Sequence, residues 1–177
     1  VKWYNVDGFR FDLMAIHDIE TMNEISKALR AIKPNIILYG EGWTSGGSPL
    51  PENKRALKAN AKQLDGVGVF SDDIRDAIKG SVFNHKENGF IAGVPNVEES
   101  IKFGLVGGIQ HPQVDYSKVN YSKAPYCNSP LQHVSYNECH DNHTLWDRLV
   151  LANPLATEKE KVEMYKVAMG IVMLSQG

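Results

Sequence analysis

The feature that most constrains this chain is an alternation of strand-like and helix-like patterns at a fixed spacing. Short apolar segments at 6–13, 36–43 and 67–74 start about 30 residues apart, and a fourth lies near 132–139. About 30 residues is one strand, one crossover helix and two loops, the repeat of a βαβ unit. Between the first two segments, Ile19, Met22, Ile25, Leu29 and Ile32 fall at helical spacing, with Asp18 as N-cap and Pro34 as the stop. The run 52–64 is helix-prone. Asn96 with Glu99, and Thr157 with Glu160, have capping-box spacing. The second box opens a helix that carries Val162, Tyr165, Ala168, Met169 and Val172 on one face. Alternation of this kind predicts an α/β fold with a parallel sheet and helices outside it.

Two architectures fit that alternation, a doubly wound sheet and a (β/α) barrel. The polar residues choose between them. Each strand candidate ends in ionisable residues: Arg10 and Asp12, then Glu41, then Asp72, Asp73 and Arg75, then His140, Asp141 and Asn142. In a barrel, such tips converge on one face, where barrel enzymes carry their sites. The chain has no G-x-G-x-x-G or Walker motif, which a doubly wound nucleotide fold would show after an early strand. The expected fold is therefore a (β/α) barrel.

Composition narrows the function classes. The net charge of -2 and the lack of any Lys/Arg run exclude a nucleic-acid or anionic-membrane footprint. No apolar stretch approaches the roughly 20 residues of a membrane span. Cys127 and Cys139 have neither zinc-ribbon nor redox-pair spacing and read as two thiols. His133, Glu138, Cys139, His140 and Asp141 cluster in sequence. On a strand, alternate residues would point to opposite faces, so the cluster reads as no metal site. No cofactor motif is present, and the expected cofactor set is empty.

Converging carboxylates beside Arg and His suit glycoside hydrolysis, which needs one carboxylate as nucleophile or base and a second that protonates the leaving oxygen. Arg10 lies two residues before Asp12, hence on the same strand face, and can hold Asp12 charged. Glu41 lies between Gly40 and Gly42, small neighbours expected to admit a substrate closely, with Trp43 as a wall or a sugar-stacking face. Taken alone, an Arg-x-Asp on a strand is usually a structural ion pair. Its recurrence with acidic and basic groups at successive tips is what points to a site.

These residues form words that resemble the α-amylase family of glycoside hydrolases, in the form written by type I pullulanases. Asp7-Gly8-Phe9-Arg10-Phe11-Asp12-Leu13 is similar to that family's fourth-strand signature, Tyr39-Gly40-Glu41-Gly42-Trp43 to its fifth, and Cys139-His140-Asp141-Asn142 with Thr144-Leu145-Trp146-Asp147 to its seventh. The stretch 70–76 resembles the sixth-strand region. The resemblance implies a partial (β/α)8 TIM barrel, about strands four to seven with their helices. It makes Asp12 the nucleophile, Glu41 the general acid/base and Asp141 the transition-state stabiliser, with Arg10, His140, Trp43 and Asn142 as substrate-binding residues. It implies an α-glucan substrate and cleavage of α-1,6 linkages with retention. The alternatives are another member of that family (isoamylase, neopullulanase or branching enzyme) and a glucan-binding piece without turnover. The family's third-strand Asp and Asn-His and its eighth strand have no counterpart here, so the chain by itself is expected to be inactive. The expectation is an incomplete catalytic barrel domain over 1–177, with a long inserted region at about 79–131 and self-association through open barrel edges.

Overall fold

In the computed structural model, which describes residues 1–177, four strands pair side by side in chain order: β1 (Gly8–Phe11), β2 (Ile37–Gly40), β3 (Gly68–Phe70) and β4 (His133–Val134). Every pairing is parallel, with Phe11 opposite Gly40, Gly40 opposite Val69, and Val69 opposite His133. A doubly wound sheet reverses its strand order at a switch point. Here the order never reverses, which is the arrangement of successive barrel strands. The fold class is thus the expected one, a parallel α/β sheet forming an arc of a barrel.

The first crossover follows its sequence signals. Helix α1 (Ile19–Ile32) starts where the Asp18 side chain accepts a hydrogen bond from the Thr21 N–H at 2.6 Å, and it stops at Lys33, before Pro34. The second crossover departs from them. The helix-prone run 52–64 forms two 3₁₀ turns, Glu52–Lys54 and Lys58–Gln63. Its backbone donors go to other elements: Ala56 N–H donates to His17 O at 3.0 Å and Lys58 N–H to Gly42 O at 2.8 Å. Tertiary partners take the groups an α-helix needs for its own ladder.

The third segment is also shorter than its apolar run. It stops as a strand at Phe70, and Ser71 caps helix α2 (Asp72–Lys79), accepting from the Ile74 N–H. Asp72, Asp73 and Arg75 therefore belong to the start of a helix and not to a strand tip. Two carboxylates in a first turn suit the helix dipole there. The fourth strand is two residues long, so 135–144 is a winding segment.

Within 79–131, helix α3 (Glu98–Leu105) forms without the expected capping box. Asn96 takes a left-handed φ of 65°, and Glu99 instead accepts from Lys102 Nζ at 2.7 Å and from the Asp115 N–H at 2.8 Å. Helix α4 (Leu145–Ala152), capped by Thr144, was not anticipated from the sequence; helix α5 (Glu158–Leu174) was, and its Thr157–Glu160 capping box is fully formed. No helix is long and apolar enough to cross a membrane.

The core has two parts. One packs the sheet against α1 and the segment between α2 and β4, through Met14, Met22, Leu38, Val69, Phe103 and Tyr126. The other lies among α2, α3, α4 and α5, through Ile74, Ile78, Ile101, Leu145, Leu149 and Ala168. Cys127 is buried in the first part and unpaired; Cys139, exposed near the cleft described next, is also unpaired.

Candidate active site

The C-terminal tips of β1 and β2 place Asp12 and Glu41 around one guanidinium. Arg10 Nη1 donates to Asp12 Oδ2 at 2.7 Å, and Arg10 Nη2 donates to Glu41 Oε1 at 2.8 Å. The parallel register that sets Phe11 opposite Gly40 brings these neighbours level. The second oxygen of Glu41 accepts from the Leu13 N–H at 2.7 Å, so both of its oxygens are engaged. The two carboxylates differ in setting. The Asp12 side chain is 70% exposed and that of Glu41 is 6% exposed. Burial by itself would lower the Arg10 pKa. The bond to Asp12, with the charges of Glu41, Asp12 and Asp141, outweighs burial and keeps Arg10 above its ordinary value.

The glycines around Glu41 are required by the packing of the chain itself. A Cβ on Gly40 would lie 2.7 Å from Phe11 O, and one on Gly42 would lie 2.5 Å from Lys58 N. These positions are small because the chain itself passes there. Lys58 is a residue that sequence reasoning missed. Its ammonium pairs with Asp72 and with Asp73 Oδ2 at 2.8 Å. Asp73 is fully buried and accepts in addition from the N–H groups of Tyr121 and Ser122 and from Ser122 Oγ. Burial would raise the Asp73 pKa, but Lys58 and Ser122 more than offset it and hold the carboxyl below its usual range. Asp73 thus pins residues 121 and 122 and, through Lys58, the Glu41 loop to α2. Nothing local in the sequence marks this link, because its partners are far apart along the chain.

A cleft of about 780 Å³ opens beside this arrangement. Arg10, Glu41, Trp43, His140, Asp141 and Asn142 line it, joined by Asp72 and Arg75. Asp12 is not among the lining residues; it reaches the cleft only through Arg10. Tyr39 and Phe70, which belong to the words read above, and Val82, Phe83 and Tyr136, which the sequence did not single out, add an apolar wall. Phe83 is 89% exposed at that wall, on a loop whose carbonyls at Ser81, Asn84 and Glu87 all accept from Arg148 Nη2. Arg75 donates to Tyr136 OH at 2.7 Å and to Asp76 at 2.5 Å, which fixes Tyr136 in that wall.

The remaining site candidates, His140, Asp141 and Asn142, sit on the winding segment after β4. His140 Nε2 lies 3.5 Å from Asp141 Oδ1, and both side chains are more than half exposed. Asn142 has a left-handed φ of 65°, which Asn tolerates better than most residues. Because β4 ends at Val134, residues 139–141 do not alternate faces as strand residues would. Their polar atoms turn toward one another, and Cys139 Sγ donates to Asp141 O at 3.7 Å.

This geometry can be set beside known proteins. No protein-family model matches the chain. The pullulanase of Bacillus subtilis (strain 168) is 38% identical over 174 residues, which is 98% of this chain and 23% of that protein. The crystal structure of the type I pullulanase from that bacterium, complexed with maltose, superposes with a TM-score of 0.89 over 98% of this chain and 23% of that one. The pullulanase of Paenibacillus barengoltzii, in complex with maltohexaose and α-cyclodextrin, is 44% identical and superposes with a TM-score of 0.86, covering 97% of this chain and 25% of that one.

In sequence and in fold, this chain is of the pullulanase type.

It spans about a quarter of the length of the pullulanases it matches. The match runs through all four strand tips. The pullulanase resemblance read from the words at 7–13, 39–43 and 139–147 therefore agrees with a likeness over nearly the whole chain.

Proposed function

We propose that this chain carries the reacting carboxylates of a retaining glycoside hydrolase that cleaves α-1,6-glucosidic linkages in pullulan and branched α-glucans. The observation that carries the reading is the Arg10 fork, which holds Asp12 and Glu41 together at the tips of adjacent strands beside the cleft. Retaining enzymes need their two carboxylates about 5 to 5.5 Å apart, whereas inverting enzymes leave a gap of about 6.5 to 9.5 Å for water. One guanidinium bridging both groups favours the shorter spacing.

Roles follow from the different settings. Asp12 has one oxygen on Arg10 and the other free, and it is the more exposed group. It is the nucleophile. Glu41, buried next to Trp43, is the acid/base. It gives a proton to the glycosidic oxygen as the anomeric carbon bonds to Asp12, and the C–O bond to the leaving chain breaks. It then takes a proton from the water that cleaves the ester and releases Asp12. Reaching the substrate requires Glu41 Oε1 to leave Arg10, so Arg10 both holds the resting carboxylates and yields one of them. Asp141 and His140 line the same cleft and bind the ring hydroxyls, Asp141 more tightly as positive charge develops on the sugar. Trp43 supplies a stacking face and Asn142 sets the turn that presents Asp141. The maltooligosaccharide complexes of the two similar pullulanases support an α-glucan as the ligand class.

The test is product analysis on pullulan with the chain beside Asp12→Asn and Glu41→Gln. Maltotriose that appears with the parent sequence and vanishes with either variant supports the reading. Panose or isopanose in its place would assign α-1,4 cleavage. Maltooligosaccharide binding that persists unchanged in Asp12→Asn without any turnover would favour a glucan-binding piece.

A further inference from the structure

The segment after β4 folds three different metal-binding groups onto one point. Cys139 Sγ, a ring nitrogen of His140 and a carboxylate oxygen of Asp141 all lie within 4.8 Å of one another. Consecutive residues on a strand could not achieve this. The turn does, because Asn142 adopts φ 65° and Cys139 Sγ reaches back to Asp141 O. We infer that Cys139, His140 and Asp141 bind a thiophilic divalent transition-metal ion of the Zn²⁺ class, as three protein ligands with an open fourth position.

The donor set and the surroundings both suit such an ion. Zn²⁺ takes thiolate at about 2.3 Å and imidazole or carboxylate at about 2.0 to 2.2 Å in a tetrahedral arrangement, with a fourth place left for water in open sites. A thiolate and a carboxylate together cancel the charge of the dication. The exposed side chains of His140 and Asp141 have rotamer freedom to close the remaining distance. A sulfur ligand selects against hard cations such as Mg²⁺ and Ca²⁺. The neighbouring candidates are already engaged. Glu138 accepts from the Leu145 N–H at 2.5 Å and from Tyr165 OH at 3.0 Å, and His143 packs edge-on against His85 at 4.8 Å. Of the nearby cations, Arg10 is held by Asp12 and Glu41, and Lys79 is buried on α2.

Such an ion would not be a cofactor. His140 and Asp141 also line the cleft, so a metal on them removes both from a sugar, and the bound form is closed to substrate on that wall. This consequence rests on the hydrolase reading. The binding itself does not, and it is measured without substrate.

Zinc is titrated into the chain at neutral pH against a chromophoric chelator. One equivalent is expected to bind. Cys139→Ser and His140→Ala are each expected to weaken it at least tenfold, and Cys127→Ser, which removes the buried thiol, leaves it unchanged. Cobalt in place of zinc gives a thiolate charge-transfer band that Cys139→Ser abolishes. Circular dichroism confirms that each variant keeps its fold. The inference is overturned if no saturable binding occurs below millimolar zinc, if Cys139→Ser binds as tightly as the parent sequence, or if His85→Ala and not Cys139→Ser removes the site. Zinc binding as expected, with pullulan hydrolysis in the same preparation unaffected, would keep the site and reject its proposed effect.

Discussion

The two halves of the cleft are built in opposite ways. On the β1–β2 side, charged groups are held by strands in register, by a guanidinium with two partners, and by glycines that let the chain pass within contact distance. On the β4 side, His140 and Asp141 hang on an exposed turn with one weak mutual contact. The difference teaches where the cost of organising a charge falls. A buried carboxylate such as Glu41 needs its partners built into the fold, because an unpaired charge there is expensive. An exposed one such as Asp141 keeps its water and needs only a backbone that points it the right way.

The largest expected effect comes from the buried strand beneath the exposed half, β4. His133 is almost wholly inaccessible, with Nε2 unpartnered, and burial lowers its pKa from 6.5 to about 4. Its folded pKa lies below its unfolded one, so between those values the unfolded chain binds more protons. Stability is then retained above pH 6.5 and lost as pH falls toward about 4, by about 3 kcal/mol in all. Urea melts across that range should show the slope, and His133→Gln should flatten it. An unchanged slope in the variant would assign the loss to other groups.

Arg10→Ala comes next. It strands Glu41 with a single partner and should cost about 2 kcal/mol in urea denaturation, reduced from the value for a fully buried pair because Asp12 is exposed. Gly42→Ala forces a Cβ against the Lys58 backbone and should cost about 1 to 2 kcal/mol, the range for overpacking. A neutral result would mean that the Glu41 loop is looser than its contacts imply. The smallest effect belongs to the other half. Asp141→Asn should change stability by no more than about 0.5 kcal/mol, as surface substitutions do, while abolishing the pullulan hydrolysis proposed above. If it destabilised the chain as much as Arg10→Ala, the contrast between the halves would fail.

Much of this was legible in the sequence, for local reasons. Asp18 and Pro34 bound α1, and Thr157 with Glu160 opens α5, because capping groups act within a few residues of themselves. The i, i+2 spacing of Arg10 and Asp12 put both on one strand face, and they do bond. The errors also share a cause. The 52–64 run lost its helix to backbone partners at His17 and Gly42, and the Asn96–Glu99 box lost Glu99 to Asp115 and Lys102. Asp72, Asp73 and Arg75 moved from a strand tip to a helix start once Ser71 took up the cap.

The sequence by itself determined the alternation of strands with crossovers, the parallel arc the strands make, and the charged residues at the tips of β1 and β2. Periodicity, caps and spacing are written within one repeat and need no distant partner to be expressed. Only the tertiary structure decided that one arginine holds two carboxylates from different strands, that Lys58 and Asp73 tie residues 121 and 122 to the Glu41 loop, and that Cys139, His140 and Asp141 converge. Each of these depends on chain segments meeting in space, where the energy of a buried charge or a tight backbone contact is settled by whatever lies across the gap.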